Sequence, residues 1–171
     1  MKNIFLIGYM GTGKSSVAKF LSNKWGWNVL EMDEMLVQQE GMSISDIFKT
    51  YGEEYFRDAE SNLIQEICMQ EDKVVSCGGG VVLRSQNVEM MKQGGTIVLL
   101  TASPETILER VKDDTTRPLL QGNMTIAFLS EMMEKRREKY EKAADVMVQT
   151  DGKQIAEICK EIIEKIKVMG E

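Results

Sequence analysis

Gly8-Tyr9-Met10-Gly11-Thr12-Gly13-Lys14-Ser15 reads G-x-x-x-x-G-K-[ST], and it stands between the apolar run Asn3-Ile4-Phe5-Leu6-Ile7 and a helical pattern from Ser16 to Lys24. A strand, a glycine loop and a helix in that order make a phosphate-binding loop. The glycines let the backbone curl so that successive N–H groups point inward around a phosphate, and the following helix adds the positive end of its dipole. Gly11, Thr12, Gly13, Lys14, Ser15 and Ser16 are therefore the candidate contacts of a nucleotide tail. Lys14 would reach the β- and γ-phosphates, and the Ser15 hydroxyl would ligate Mg²⁺.

Outward from the loop, apolar β-rich runs recur at 3–7, 28–30, 73–77, 96–101 and 145–149. Helical periodicity covers 15–24, 34–40, 45–51, 53–71, 85–93, 104–111, 125–142 and 152–168. That alternation predicts an α/β fold, a five-stranded parallel sheet with helices on both faces. Ser103-Pro104-Glu105 supplies an N-cap with proline at the first helical position, Ser43-Ile44-Ser45-Asp46 opens a short helix, and Gly52 closes it. At 171 residues the chain is expected to form one domain that buries roughly 70% of its unfolded surface. The polar, turn-rich segment at about 112–124 is either a surface loop or a mobile lid.

Composition narrows the function. Three cysteines without C-x-x-C spacing indicate neither a disulfide framework nor a zinc site, and they fit reduced thiols in a cytoplasm. No charged-then-apolar leader and no run of about 18 apolar residues is present, so no membrane association is expected. A net charge of −6 argues against a nucleic-acid surface, which needs clustered Lys and Arg. The absence of histidine removes Ser-His and Cys-His nucleophile pairs and leaves a carboxylate as the expected base.

Four further patches describe a second ligand. Glu31-Met32-Asp33 follows the second strand, and its two carboxylates point the same way if the strand persists. One would hold a Mg²⁺ hydration shell and the other accept a hydroxyl proton, or both would only cap the next helix. Phe56-Arg57 lies on a long amphipathic helix. Gly78-Gly79-Gly80, after the β run through Ser76-Cys77, removes every side chain at a strand end, so backbone N–H groups can approach a small polar molecule; a tight turn is the plainer use. Arg117 and Arg136 add guanidinium groups, which grip carboxylates and phosphates bidentately.

In order and spacing these patches resemble shikimate kinase over nearly the whole chain. The resemblance is carried by Leu6 to Ser15, Met32-Asp33, Ile44 to Phe48, Gly52-Glu53 with Phe56-Arg57 and Glu60, Ser76 with Gly78 to Gly80, Arg117 to Leu120, and Arg136 with Tyr140. It implies a P-loop kinase of the nucleoside monophosphate kinase-like build, three-layered α/β/α with a lid. The implied activity is ATP-dependent phosphorylation of the 3-hydroxyl of shikimate to shikimate 3-phosphate and ADP, a step toward aromatic amino acids. It implies that Asp33, Arg57, Gly79, Gly80 and Arg136 contact shikimate, the arginines taking its carboxylate. Lys14 and Arg117 would face the phosphates, Asp33 would act as base, Ser15 and Glu31 would support Mg²⁺, and Arg110 with Lys153 would lie against the adenine. The family usually has aspartate where this chain has Glu31, and commonly threonine where it has Ser16. The expected enzyme is a cytoplasmic monomer. The nearest rival is another small-molecule P-loop kinase, such as a gluconate kinase. A nucleotide-dependent switch is the rival from another class, but no N-K-x-D guanine signature is present.

Overall fold

A computed structural model describes residues 2–112 and 125–170. The elements run β1 (Asn3–Ile7), α1 (Lys14–Trp25), β2 (Asn28–Glu31), α2 (Met32–Glu40), α3 (Ile44–Tyr51), α4 (Glu53–Cys68), β3 (Lys73–Ser76), α5 (Ser85–Gly94), β4 (Gly95–Thr101), α6 (Pro104–Val111), α7 (Ile126–Ala143), β5 (Val146–Gln149) and α8 (Ile155–Met169). All strand pairs are parallel and the order is β2-β3-β1-β4-β5, which places the phosphate-loop strand in the centre. The expected sheet is therefore present.

Strand alternation decides the two layers. Ile4 and Leu6 of β1 face a core with Val17, Ala18, Leu21, Ile158 and Ile162, so α1 and α8 cover that side. Phe5 and Ile7 face the larger core of Leu36, Ile47, Ile64, Ile67, Met91, Ile107 and Leu129, contributed by α2 through α7. Because all five strands are parallel, their carboxyl ends lie along one edge, where loops gather a ligand site.

Capping follows the sequence closely. Ser43, Ser103 and Thr125 each accept from the backbone N–H three residues on, at 3.1, 3.2 and 3.1 Å. Three boundaries differ from expectation by two residues or more. β2 persists through Glu31, but Met32 already begins α2, so Asp33 and Glu34 lie in a helical first turn, where the dipole favours acids. Glu31 and Asp33 thus do not alternate along one strand. α8 begins at Ile155, not 152, because Gln154 and Glu157 form a capping box after the left-handed turn at Gly152. α4 stops at Cys68, short of 71, and Asp72 turns the chain with φ of 57°. The lid expected over about 112–124 falls almost wholly on 113–124, outside the described residues, and so does Arg117.

Candidate active site

The phosphate loop is braced by its own side chains. Thr12, buried, donates its hydroxyl to the Tyr9 carbonyl at 2.8 Å. Lys14 Nζ donates to the Gly8 and Tyr9 carbonyls at 2.7 and 3.1 Å, so the ammonium already sits over the loop's concavity. Gly13 caps α1 with φ of 97°, a conformation that glycine adopts without steric cost. The first N–H groups of any helix have no acceptor within the helix, and here the α1 N-terminus that carries them opens directly onto the loop.

Beside that helix start, Ser15 Oγ donates to Glu31 Oε2 at 3.1 Å. The longer carboxylate of glutamate reaches the hydroxyl from the last residue of β2. This oxygen-only pair suits Mg²⁺, which prefers one or two protein oxygens and completes its shell with phosphates and water. Among the described residues no group of three His, Cys, Asp or Glu forms an all-protein metal cage.

On the other side of the loop the remaining patches converge on the glycine run after β3. A Cβ built on Gly78 would lie 2.9 Å from both Asp33 Oδ1 and Glu60 Oε2. One on Gly79 would lie 3.3 Å from Arg136 Nη1, and one on Gly80 would fall onto the Arg57 guanidinium. Asp33 from α2, Arg57 and Glu60 from α4, and Arg136 from α7 thus meet around three residues without side chains. Only glycine leaves room for that approach.

Electrostatics make the cluster tense. Arg57 Nη1 pairs with Glu60 Oε1 at 3.1 Å, with the Glu60 side chain only 1% exposed. Burial pushes the Glu60 carboxyl above the usual carboxylate range; Arg57 opposes this and nearby Asp33 adds to it. Arg57 Nε, Glu60 Oε2 and the Tyr9 hydroxyl are buried without a hydrogen-bond partner among the described residues. Buried polar atoms normally find partners, so a polar ligand is the natural complement to this group. The Arg136 guanidinium lies 6.0 Å from the centre of the Tyr9 ring, within cation–π reach.

On the far flank, Arg110 Nη1 donates to the Gly11 carbonyl at 2.8 Å and to Thr150 Oγ1 at 3.2 Å, which ties α6 to the phosphate loop and to the end of β5. The Lys153 ammonium is instead drawn away to Glu161 of α8, at 2.8 Å. Asp151 accepts from the Ser103 N–H at 2.9 Å. Burial raises its carboxyl, but hydrogen bonds from Thr106, Ser103 and Gln149 outweigh burial and hold it well below the usual range.

The structure therefore brings together Asp33, Arg57, Gly79, Gly80 and Arg136, and separately Lys14, Ser15 and Glu31. It adds Glu60, Tyr9 and Tyr140, to which the sequence alone gives no role. For Glu60 a signal existed: an acid three residues after Arg57 shares its helix face. For Tyr9 there was none, because nothing in a loop sequence says which way a ring turns.

A family model described as shikimate kinase matches residues 10–167. A shikimate kinase of Thermodesulfovibrio yellowstonii is 43% identical over 165 residues, covering 96% of this chain and 95% of the relative. Another, of Persephonella marina, is 41% identical and covers 98% of this chain and 100% of its own length. Among solved structures, shikimate kinase from Acinetobacter baumannii in complex with shikimate superposes with a TM-score of 0.92 at 30% identity, covering 98% of this chain and 94% of that one.

Proposed function

The chain belongs to the shikimate kinase family and phosphorylates shikimate with ATP as co-substrate; we propose that the acceptor is the 3-hydroxyl and that the residues divide the work as follows. Arg57 and Arg136, with the Gly79 and Gly80 N–H groups, grip the shikimate carboxylate. Asp33 accepts the hydroxyl proton as that oxygen attacks the γ-phosphoryl group. Lys14 stabilises charge on the β- and γ-oxygens, joined by Arg117, while Gly11, Thr12, Gly13, Ser15 and Ser16 cradle the phosphates. Phosphoryl transfer passes through a loose transition state, so positioning and charge carry most of the catalysis.

Ser15 and Glu31 would hold Mg²⁺, which when bound neutralises charge shared by the β- and γ-phosphates. The pairing of their oxygens at 3.1 Å supports this assignment. Arg110 flanks the adenine side; Lys153, with its ammonium engaged by Glu161, would contribute there through its backbone and aliphatic stem. The product, shikimate 3-phosphate, feeds aromatic amino acid synthesis.

The observation that carries the residue roles is the meeting of Asp33, Arg57 and Arg136 at a run of glycines beside the phosphate loop. Two cations suit a carboxylate, and the adjacent acid suits hydroxyls. Asp33, Arg57, Gly79, Gly80 and Arg136 all come from one chain, so acid binding by a single-domain monomer needs no residue of a second copy. Three free cysteines support a cytoplasmic site of action, where thiols stay reduced.

A coupled ADP-release assay comparing shikimate with quinate, gluconate and nucleoside monophosphates tests the reading. Shikimate is expected to be turned over at a kcat/KM at least about 100-fold above the others, since a site built for specific polar groups rejects analogues that leave those groups unpaired. Comparable turnover of gluconate would overturn it.

A further inference from the structure

Tyr140 lies on α7 one helical turn beyond Arg136, so the two side chains leave the same face of that helix. Its ring is buried, with 5% of the residue exposed, and its hydroxyl donates to the Gly79 carbonyl. The same hydroxyl lies near the Arg136 guanidinium: burial raises the Tyr140 phenol, and the Arg136 charge and hydrogen bond oppose that rise. A Cβ built on Gly79 would lie 3.3 Å from Arg136 Nη1 and 3.7 Å from the Tyr140 hydroxyl, so both groups close on the same glycine. Lys139, just before Tyr140 in the chain, donates to the Leu83 carbonyl at 3.2 Å and anchors the turn that follows the glycines.

The consequence follows from peptide geometry. No peptide bond among the described residues is cis, and in a trans peptide the C=O and the next N–H point in opposite directions. Fixing the Gly79 carbonyl toward α7 therefore fixes the Gly80 N–H away from it. Gly80 is buried, yet no described residue accepts a hydrogen bond from its N–H. A buried N–H without a protein partner is rare, and a donor held in that state is available to a ligand.

We propose that Tyr140 is a positioning residue for acid binding: by holding the 79–80 peptide in one orientation and bracing Arg136, it aims the Gly80 N–H and the guanidinium at the same substrate carboxylate. The inference rests on the assignment of this cluster to shikimate. Tyr140 touches no reacting atom itself. Its contribution is pre-organisation, which lowers the ordering cost of binding.

Tyr140→Phe keeps the ring in the core and removes only the hydroxyl. In steady-state assays the shikimate KM is expected to rise about five- to tenfold, the value of one hydrogen bond, with the ATP KM within about twofold of wild type and kcat little changed. In ¹⁵N-labelled protein the Gly80 amide resonance should shift on adding shikimate to the wild type, and shift much less in the variant. An unchanged shikimate KM with only a lowered Tm would reduce Tyr140 to a core residue and overturn the proposal. Equal rises in both KM values would do the same. Wild-type protein that fails to phosphorylate shikimate in the same assay would instead overturn the parent assignment, which keeps the two failures apart.

Discussion

Gly80→Ala tests the acid-binding geometry with a single added carbon. The backbone at Gly80 has φ of −99° and ψ of 7°, which alanine tolerates, so backbone strain does not contribute. The new Cβ would fall 2.6 Å from Arg57 Cζ and from Nη2, and closer still to Nη1. Comfortable contact begins at about 3.5 Å, so the guanidinium must recede by about 1 Å. Retreat is restricted, because Arg57 is tied to the buried Glu60 at 3.1 Å and to Glu53 at 3.5 Å. A displaced guanidinium loses one charge-assisted hydrogen bond to the substrate, worth about 2 kcal/mol, or about a 30-fold rise in shikimate KM. The assay varies shikimate at saturating ATP with ADP release as readout, then varies ATP, whose KM should stay within about twofold. A shikimate KM within about twofold of wild type, in a variant that still unfolds cooperatively, would show that Arg57 is not held against Gly80 for binding.

Arg136→Ala should weaken shikimate binding by about 2–3 kcal/mol in calorimetry while ATP binding is nearly unchanged; equal loss for both ligands would contradict its assignment to the carboxylate. Asp33→Asn keeps the shape and removes the proton acceptor, so kcat should fall about 10²- to 10⁴-fold, and an unaltered rate would remove Asp33 from the role of base. Glu31→Gln should move the Mg²⁺ requirement to higher concentration in a metal titration of the rate; no movement would reduce Glu31 to a residue at the start of α2. Burial pushes up the thiols of Cys77 and Cys68, and that of Cys159 to about 11, so at pH 7.5 alkylation in the native state should be slow for all three and fast in denaturant. Rapid native modification of Cys77 with loss of activity would refute its burial between the end of β3 and the glycines.

Local chemistry made much of this protein legible from its sequence. The phosphate loop is a continuous stretch whose function depends on backbone curl and one helix start, so Gly8 to Ser15 announce it without tertiary help. The caps at Ser43 and Ser103, and the five apolar runs, are equally local, because hydrogen bonds three residues apart and strand alternation are set by near neighbours. The boundary between β2 and α2 is not local in this sense. Two acids at i and i+2 fit a strand end as well as a helical first turn, and only packing of Met32 and Leu36 into the core selects the helix.

What the tertiary structure alone decided is which distant residues share one space. Asp33, Arg57, Gly79 and Arg136 span more than 100 positions, and nothing in their local sequence measures their separation. The parallel sheet brings the carboxyl end of β3 between helices α2, α4 and α7, and absent side chains there let three charged groups approach. The buried Glu60 behind Arg57 and the Tyr140 hydroxyl on Gly79 belong to that same level. Their roles arise from desolvation and from the direction of one carbonyl, quantities that exist only once the chain is packed.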